Sequence, residues 1–444
     1  MPTSPCCVLS VNLSRADNLS NTSFYIRAIA GVLSQVDWWL ILAVGFLISV
    51  GLTTLKCSQV DTSFFNRQLD FFWVGLVALI VAWRVPYFVW THRKVVPIIY
   101  GINLALLLAV MVKGHSALGA QRWLAIGPIT LQPSEFAKLA VIFTIAAWLG
   151  KRPIKGFFDN LKVIGLLLPP AILVFKQPDL GTSLTFGALF LGMTYWAGAT
   201  LTDLLVLASP LFSLIANAVN VNYWYVYLIG LGATLLLYWR RRAWSTWVRV
   251  LLITAVVLGN FGVGEMRPHF WGQLKDYQQK RLTSFVNPYS DPRGSGYHIL
   301  QSLIAIGSGG IQGSGLGKGN QSQGAFIPER HTDFIFAVVG EELGFKLTSL
   351  IVLAYGIVCM RALHIAYQSR QEPVGSLIAI GVMSMFLFHV FLNIGMVIGI
   401  MPVAGVPLPF LSYGGTALIV DLIAIGLLLS VRQLNPPPRT DVWT

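Results

Sequence analysis

The sequence predicts an all-α, polytopic helical membrane protein. Of its 444 residues, 55% are hydrophobic and only 11% are charged, whereas soluble domains carry about 25% charged residues. Long apolar runs recur along most of the chain, and many are long enough to cross or nearly cross about 30 Å of hydrocarbon. The runs show no alternation with a period of two, so they are expected to be helices and not the strands of a membrane barrel.

Roughly twelve apolar runs are candidate spans by this criterion. They lie at 38–55, 71–83, 95–112, 136–149, 163–175, 183–196, 201–219, 223–239, 250–263, 334–360, 374–400 and 410–431. Each is predicted to be one helix, because backbone groups in lipid must satisfy their hydrogen bonds within the segment.

The basic residues predict the orientation of these helices, because cytoplasmic connections are enriched in Lys and Arg. With the N-terminus inside, the inside connections collect most of the clustered basic residues, and both termini are cytoplasmic. Three polar stretches then lie outside, at 113–135, 176–182 and 265–333. The last is the only large segment outside the membrane.

The domain organisation follows from the same assignment. We expect a cytoplasmic N-terminal segment at 1–36, one transmembrane domain at 37–432 and a cytoplasmic tail at 433–444. Removing one of the two runs within 201–239 would move the arginine triplet 240–242 outside, so we predict that these two helices come as a pair.

Charge and cysteine content exclude other classes of protein. The net charge is +13, but the positive-inside pattern explains it without a nucleic-acid partner. Membrane lipid is instead the expected surrounding. The four cysteines show no metal-ligand spacing, and no disulfide framework can be read from them.

The outer stretch 113–135 and the run after it contain the first candidate binding residues, Arg122, Glu135 and Lys138. Glu135 and Lys138 are three residues apart at the start of a helix, so they share a face and can pair. Capping by Ser134 and interaction of Glu135 with the helix dipole are the structural alternatives. Lys138 lies a turn inside an apolar helix, where an unpaired ammonium is costly. Arg122 and Lys138 together would suit a phosphate-bearing ligand.

Asp179 lies at a helix break between Pro178 and Gly181. Two interpretations are open: it caps the following helix, or it orients a cationic side chain at the outer surface. Glycine and proline at a break of this kind are compatible with both.

The outer loop 265–333 ends in five consecutive polar residues directly before an apolar run: Glu329, Arg330, His331, Thr332 and Asp333. Capping by Thr332 or Asp333 would explain only one of them.

Intramembrane polar residues form a second group. The adjacent carboxylates Glu341 and Glu342 lie inside the apolar run and are not explained by capping. His389 and Asn393 are polar residues in the next run, and they can hold helices together or act as ligands.

Six motifs in combination resemble the SEDS family, the shape, elongation, division and sporulation proteins of bacteria. They are QRWL at 121–124, QPSEFAK at 132–138, QPDLGTS at 177–183, GYHILQSLIAIGSGG at 296–310, FIPERHTDFIFAVVGEELG at 326–344 and PLPFLSYGG at 407–415. The resemblance covers about 37–432, and the PERHTDF form is more similar to the elongation members than to the division members.

The resemblance implies a bundle of ten family helices, to which 201–239 would add a lineage-specific pair. It implies a glycosyltransferase that polymerises lipid II, a polyprenyl-pyrophosphate-linked disaccharide peptide, on the outer face of the bacterial cytoplasmic membrane. It also implies release of undecaprenyl pyrophosphate and a class B penicillin-binding protein as the transpeptidase partner.

The family's motif positions imply the roles of the residues. Asp333 matches the essential carboxylate and is the expected catalytic base. Arg122, Glu135, Lys138 and Asp179 match polar positions around an outward cavity. The adjoining Glu329, Arg330 and His331 are expected to bind substrate as well. A divalent cation, Mg²⁺ or Mn²⁺, is a candidate cofactor, with no ligand set predicted.

Two other functions fit a chain of apolar helices with buried charges. A lipid II flippase or other transporter would distribute its charges through the bilayer and show internal symmetry, whereas the polar residues here cluster on the outer side. A scaffold that activates the transpeptidase would tolerate loss of Asp333.

Overall fold

The computed structural model describes residues 36–434, except for 58–61, 118–119, 127–128, 241–244, 325, 328 and many positions between 267 and 295. The predicted N-terminal segment, except its last residue, and most of the predicted tail lie outside the described residues. So do Cys6, Cys7, Arg241 and Arg242.

The described residues form fifteen α-helices, three short β-strands and one 3₁₀ turn at Pro288–Ser290. The helices are α1 (Trp38–Cys57), α2 (Thr62–Arg84), α3 (Tyr87–Trp90), α4 (Val95–Lys113), α5 (Pro133–Leu149), α6 (Phe157–Lys176), α7 (Leu180–Trp196), α8 (Leu201–Val219), α9 (Val221–Trp239), α10 (Thr246–Glu265), α11 (Tyr297–Gly309), α12 (Asn320–Gln323), α13 (Ile335–Gln368), α14 (Pro373–Val397) and α15 (Gly415–Leu434).

The prediction of a polytopic helical membrane protein is confirmed. Each of the twelve predicted apolar runs falls mainly on one long helix, α1, α2, α4 to α10 or α13 to α15. The prediction of one helix is wrong for the run 334–360, which is interrupted at Gly344, and the run 410–431 becomes helical only at Gly415. Within the described part of the chain, nine helices are long and apolar enough to cross a membrane. The exact number of spans and the side on which the termini lie stay predictions.

The centre of the bundle is built from helices that are apolar on every side. About 67% of the most apolar stretch is buried in both α14 and α15, against 17% in α2 and α4. In α5, most residues are buried, including the polar Ser134, Glu135 and Lys138. A helix that is apolar all round belongs in the interior of a large protein, so α5, α14 and α15 form the core on which the site is built.

The predicted helix pair is present as α8 and α9, and it packs with α10 as a three-helix unit. Asn220 ends α8 and caps α9 through its own side chain. Inside the unit, Trp224 donates to Ser213 Oγ (2.8 Å), and Asn260 donates to Ser209 Oγ (2.9 Å). These buried hydrogen bonds satisfy polar groups that would be costly in lipid.

A small antiparallel sheet lies between α4 and α5, where the sequence predicted only a polar stretch. Its strands are β1 (His115–Ala117), β2 (Ala120–Ile126) and β3 (Ile129–Leu131), in the order β1-β2-β3. The sheet holds Arg122 and Trp123 on its central strand, directly before the start of α5.

One carboxylate joins the beginning and the end of the bundle. Asp37, before α1, accepts from Arg361 in α13 (Nε to Oδ2 2.8 Å, Nη2 to Oδ2 2.7 Å) and lies 2.5 Å from Nη1 of Arg432 in α15. The start of α1 and the end of α15 therefore lie on the same side of the bundle. The start of α13, directly after Asp333, lies at the opposite end.

Helix α13 is broken at Gly344, which has φ 70° and ψ −177°. The two glutamates before the break hold the glycine-rich segment 309–324 against it. The Glu341 carboxylate accepts from the backbone N–H groups of Gln321 (2.7 Å) and Ser322 (2.8 Å), and Glu342 Oε1 accepts from Ser322 Oγ (3.0 Å). The two carboxylates therefore have a structural role, which is to hold the segment 309–324 against α13.

We predict that Gly344→Ala destabilises the protein. An alanine Cβ would overlap the backbone nitrogen of Gly313, and the positive φ of Gly344 is unfavourable for any other residue. The expected result is a lower thermal midpoint in detergent and faster proteolysis of the segment 309–324. The control is Gly356→Ala in the same helix, where a Cβ meets nothing within 4 Å. Equal stability of the two variants would contradict this prediction.

Candidate functional site

A cavity of about 290 Å³ opens at the end of the bundle opposite Asp37. Most of its lining comes from four segments: the sheet and the start of α5, the break before α7, the residues before α13, and the connection from α14 to the start of α15. Phe71 of α2 and His389 of α14 complete the lining. Five of the eight predicted site residues line this cavity together. They are Arg122, Glu135, Asp179, Glu329 and Asp333.

Asp179 organises one wall of the cavity. It caps α7 by accepting from the backbone N–H of Thr182 (3.2 Å), and its Oδ2 also accepts from Thr182 Oγ1 (3.0 Å). The same oxygen accepts from Ser134 Oγ (3.2 Å) and Gln132 Nε2 (3.3 Å). Of the alternatives for Ser134, capping is not observed, because Gln132 occupies the N-cap position of α5 and Ser134 bonds to Asp179.

Arg122 reaches the same wall from β2. Its Nη1 lies 3.9 Å from Asp179 Oδ1, and its Nη2 donates to the carbonyl oxygen of Pro178. Its Nε is buried and makes no hydrogen bond among the described residues. Both interpretations of Asp179 are thus realised, since the carboxylate caps a helix and positions a guanidinium.

Glu135 and Lys138 form a buried ion pair at the floor of the cavity. Lys138 Nζ is 2.6 Å from Glu135 Oε2, and the Lys138 side chain is only 1% exposed. Its amine is also 3.5 Å from Nε2 of His389, which lines the cavity. Lys138 itself is not among the lining residues, because its amine lies behind the Glu135 carboxylate. Lys138 therefore influences the cavity through its neighbours.

Asp333 lies just before α13, in a segment fixed by its backbone. Asn393 donates both to the carbonyl of Asp333 (2.9 Å) and to that of Val406 (2.7 Å). Ser412 Oγ donates to the Thr332 carbonyl (2.7 Å). These hydrogen bonds join α14, the residues before α13 and the connection from α14 to α15 around Asp333. Asn393 is therefore a structural residue that connects these segments.

Thr332 does not cap α13. Phe334 occupies the N-cap position of α13, and no side chain caps it. Thr332 Oγ1 instead donates to Glu329, at 3.3 Å from both its carbonyl and its Oε2. The hydroxyl of Thr332 therefore serves the turn before α13 and not the end of the helix.

Arg330 and His331 are not among the lining residues of the cavity. Arg330 Nη1 donates to the carbonyl of Ser322. The centroid of the His331 ring lies 4.6 Å from that of the Phe64 ring and 5.8 Å from that of the Tyr413 ring. Burial lowers the pKa of His331, and this outweighs the opposing attraction of Glu329. Binding of substrate by these two residues stays a prediction.

We predict that His331 makes stability fall on acidification. Its pKa is lowered in the folded state, so the unfolded chain binds the proton more readily as the pH falls below about 6.5. The free energy of unfolding should therefore decrease below that pH. Thermal midpoints from pH 8 to 5 would show a steeper decrease in the wild type than in His331→Phe, which keeps the ring packing without titrating. Parallel curves would contradict the prediction.

The cavity carries more negative than positive groups. Four carboxylates line it, with Arg122 as the one lining guanidinium or ammonium group within the described chain. Among the residues that the structure describes, no group of three or more His, Cys, Asp or Glu side chains is arranged to hold a metal ion. The residues present thus do not fit a preformed metal site, and we assign no step to a metal.

Several lining residues were not predicted from the sequence. Gln132, Thr182 and Thr416 complete the hydrogen-bonding wall around Asp179 and β3, with Thr416 donating to the Thr130 carbonyl (3.2 Å). Gln132 and Thr182 lie within the motifs at 132–138 and 177–183, and Thr416 directly follows the motif at 407–415, but the motifs alone assigned no role to these three residues.

The model of the FtsW, RodA and SpoVE family, described as cell cycle proteins, matches residues 32–230 and 221–435. The peptidoglycan glycosyltransferase MrdB of Escherichia coli K12 is 38% identical over 395 residues, covering 88% of this chain and 92% of that protein.

Two solved structures have the same fold. One is a chain of a peptidoglycan synthase complex, with a TM-score of 0.65 and 27% identity, covering 90% of this chain and 98% of that one. The other is the rod shape determining protein RodA of Thermus thermophilus, with a TM-score of 0.59 and 25% identity over 90% of this chain and 97% of that one. The chain belongs to the FtsW, RodA and SpoVE family, the SEDS proteins whose motifs its sequence carries.

Proposed function

We propose that this chain is a peptidoglycan glycosyltransferase that polymerises lipid II into glycan strands during cell elongation. The observation that carries the proposal is the convergence of Asp333, Glu135, Asp179 and Arg122 on one cavity at one end of a membrane-embedded bundle. Its E. coli relative is named a peptidoglycan glycosyltransferase. The polyprenyl chains of the substrate explain why the enzyme is embedded in lipid.

The reaction joins two lipid-linked disaccharides with inversion. The 4-hydroxyl of the acceptor's N-acetylglucosamine attacks the anomeric carbon of the donor's N-acetylmuramic acid. The bond from that carbon to the pyrophosphate breaks, and undecaprenyl pyrophosphate leaves. Asp333 accepts the hydroxyl proton as general base, a role for which a carboxylate within reach of the hydroxyl is suited.

The other charged residues in and behind the cavity lining have the remaining roles. Arg122, held by Asp179, is the cation placed to meet the departing pyrophosphate, since a guanidinium offers a fork of N–H donors. Lys138 supports this charge indirectly, because its ammonium pairs with Glu135 at 2.6 Å and offsets one of the four lining carboxylates. Glu329 holds the turn before Asp333 through Thr332.

The protein is an integral membrane protein. We place it in the bacterial cytoplasmic membrane, with the cavity on the extracytoplasmic side, where lipid II is consumed. A class B penicillin-binding protein is the proposed partner, supported by the similarity to a chain of a peptidoglycan synthase complex. We also propose α8 and α9 as the additional pair, because removing either helix alone would move the basic residues that follow α9 to the outside.

The test is polymerisation by the purified full-length chain in liposomes that contain labelled lipid II. Glycan strands should form, and they should persist with moenomycin, which inhibits transglycosylases of another class. Movement of lipid II between leaflets without strands would indicate a flippase. Strands only when a partner's own transglycosylase is present would indicate a scaffold. Either result would overturn the proposal.

A further inference from the structure

His389 is a polar residue of the cavity for which the proposed mechanism has no role. It lies in α14, one of the core helices, and is only 2% exposed. Its ring nevertheless lines the cavity beside Glu135. A neutral imidazole has one donor and one acceptor nitrogen, so the neighbours of each nitrogen decide what the ring offers to a ligand.

Nε2 of His389 has two neighbours that require different protonation states of this nitrogen. Thr185 Oγ1 lies at 3.2 Å and already donates its proton to the Gly181 carbonyl (2.9 Å), so it can only accept from Nε2. Lys138 Nζ lies at 3.5 Å and can only donate to Nε2. Nε2 can therefore serve one of these neighbours but not both.

The charge of Lys138 decides which tautomer of the His389 ring is favoured. Hydrogen bonds from ionised donors are roughly twice as strong as those between neutral groups, and a buried ammonium N–H without a partner is costly. Lys138 has one other hydrogen-bond partner among the described residues, Glu135. Nε2 therefore accepts from Lys138, and the ring proton is on Nδ1.

His389 lines the cavity and its Nε2 contacts Lys138 and Thr185, so Nδ1 is the ring nitrogen left available to the cavity. It has no hydrogen-bond partner within the described chain, yet it is not one of the sealed polar atoms that lack a partner. A donor N–H is thus available to a ligand in the cavity, which Glu135 also lines. The Glu135 carboxylate would repel a phosphate at this position, so a neutral oxygen is the favoured acceptor of this hydrogen bond.

We propose that His389 is a substrate-binding residue whose Nδ1–H donates a hydrogen bond to a neutral oxygen of the saccharide, a hydroxyl or an acetamido carbonyl, while Lys138 holds its Nε2. This inference rests on the proposed function, since it takes a lipid-linked saccharide as the occupant of the cavity. It makes Lys138 a positioning residue that fixes the tautomer of a substrate contact.

The test uses three variants of the full-length protein in liposomes with lipid II. In His389→Asn the amide nitrogen takes the place of Nδ1, in His389→Gln the amide reaches the place of Nε2, and in His389→Phe neither group is present. We expect KM to rise about tenfold in His389→Gln and His389→Phe, with a much smaller change in kcat. His389→Asn should recover most of the affinity lost in His389→Phe.

Thermal midpoints separate a binding role from a structural one. His389→Asn should be less stable than His389→Gln, because it abandons the contact to Lys138, although it binds substrate better. If KM followed the thermal midpoint in all three variants, His389 would be a packing residue and the proposal would be wrong.

Two further measurements distinguish the ligand and the function. Inhibition by undecaprenyl pyrophosphate should be unchanged in His389→Gln, and weaker inhibition would show that the contact is to pyrophosphate. Direct binding of lipid II to the wild type and the variants gives the affinities without turnover. If the wild type bound lipid II without polymerising it, the proposed function alone would fail, and the order of affinities would still decide the role of His389.

Discussion

Purified Asp333→Asn should polymerise lipid II at least about 100-fold more slowly than the wild type, since a positioned general base contributes about 10²-fold to 10⁴-fold. Asparagine has nearly the shape of aspartate but cannot accept the hydroxyl proton. The backbone at this position is fixed by Asn393, which donates to the Asp333 carbonyl at 2.9 Å. The loss should therefore be chemical, with little change in structure.

The matched control for Asp333→Asn is Asp159→Asn. Asp159 lies in the first turn of α6, outside the cavity, and forms an exposed pair with Lys162. Its substitution should therefore leave the polymerisation rate close to that of the wild type. Strand length and rate with labelled lipid II are the measurements, and the thermal midpoint establishes folding. If folded Asp333→Asn retained more than a tenth of the native rate, Asp333 would not be the base.

Lys138→Met should lower the free energy of unfolding by about 3 to 5 kcal/mol, the usual effect of breaking a buried ion pair from one side. Lys138 is 1% exposed and its partner Glu135 is 4% exposed, so the substitution leaves a carboxylate buried without its cation. Restoring neutrality with Glu135→Gln in the same chain should recover a large part of this loss. Unfolding in mixed detergent micelles would measure each variant.

The chain provides a control with the same spacing. Lys162 and Asp159 are also three residues apart and 2.9 Å from each other, but the Lys162 side chain is 60% exposed. Lys162→Met should change stability by less than about 1 kcal/mol, because solvent screens an exposed pair. Equal losses in Lys138→Met and Lys162→Met would mean that burial of the Glu135 pair has no energetic consequence.

The helices could be predicted because their signal is local. An apolar run of sufficient length must be a helix in lipid, whatever it packs against, and the predicted runs are helical except for the break at Gly344 and the residues before Gly415. The three strands were missed because they contain only three to seven residues. Runs this short carry no reliable period, and pairing between neighbouring strands stabilises them.

The candidate site was predicted in composition but not in arrangement. The motifs identified Arg122, Asp179 and Asp333, which line one cavity. They could not show that Lys138 lies behind Glu135, or that Arg330 donates to Ser322 outside the cavity lining. Such differences depend on contacts between distant parts of the chain, such as that of Lys138 with His389, 251 residues apart.

The carboxylate of Asp37 has a consequence for biosynthesis. Arg361 follows Asp37 by 324 residues, and Arg432 is made later still, in the last helix. A ribosome that produces the chain from its N-terminus therefore inserts α1 long before either arginine exists. Domains that fold during synthesis acquire their contacts in chain order. The contact of Asp37 with α15 can form only after the last helix has been made, so a chain interrupted before Arg432 has only Arg361 as the partner of this carboxylate.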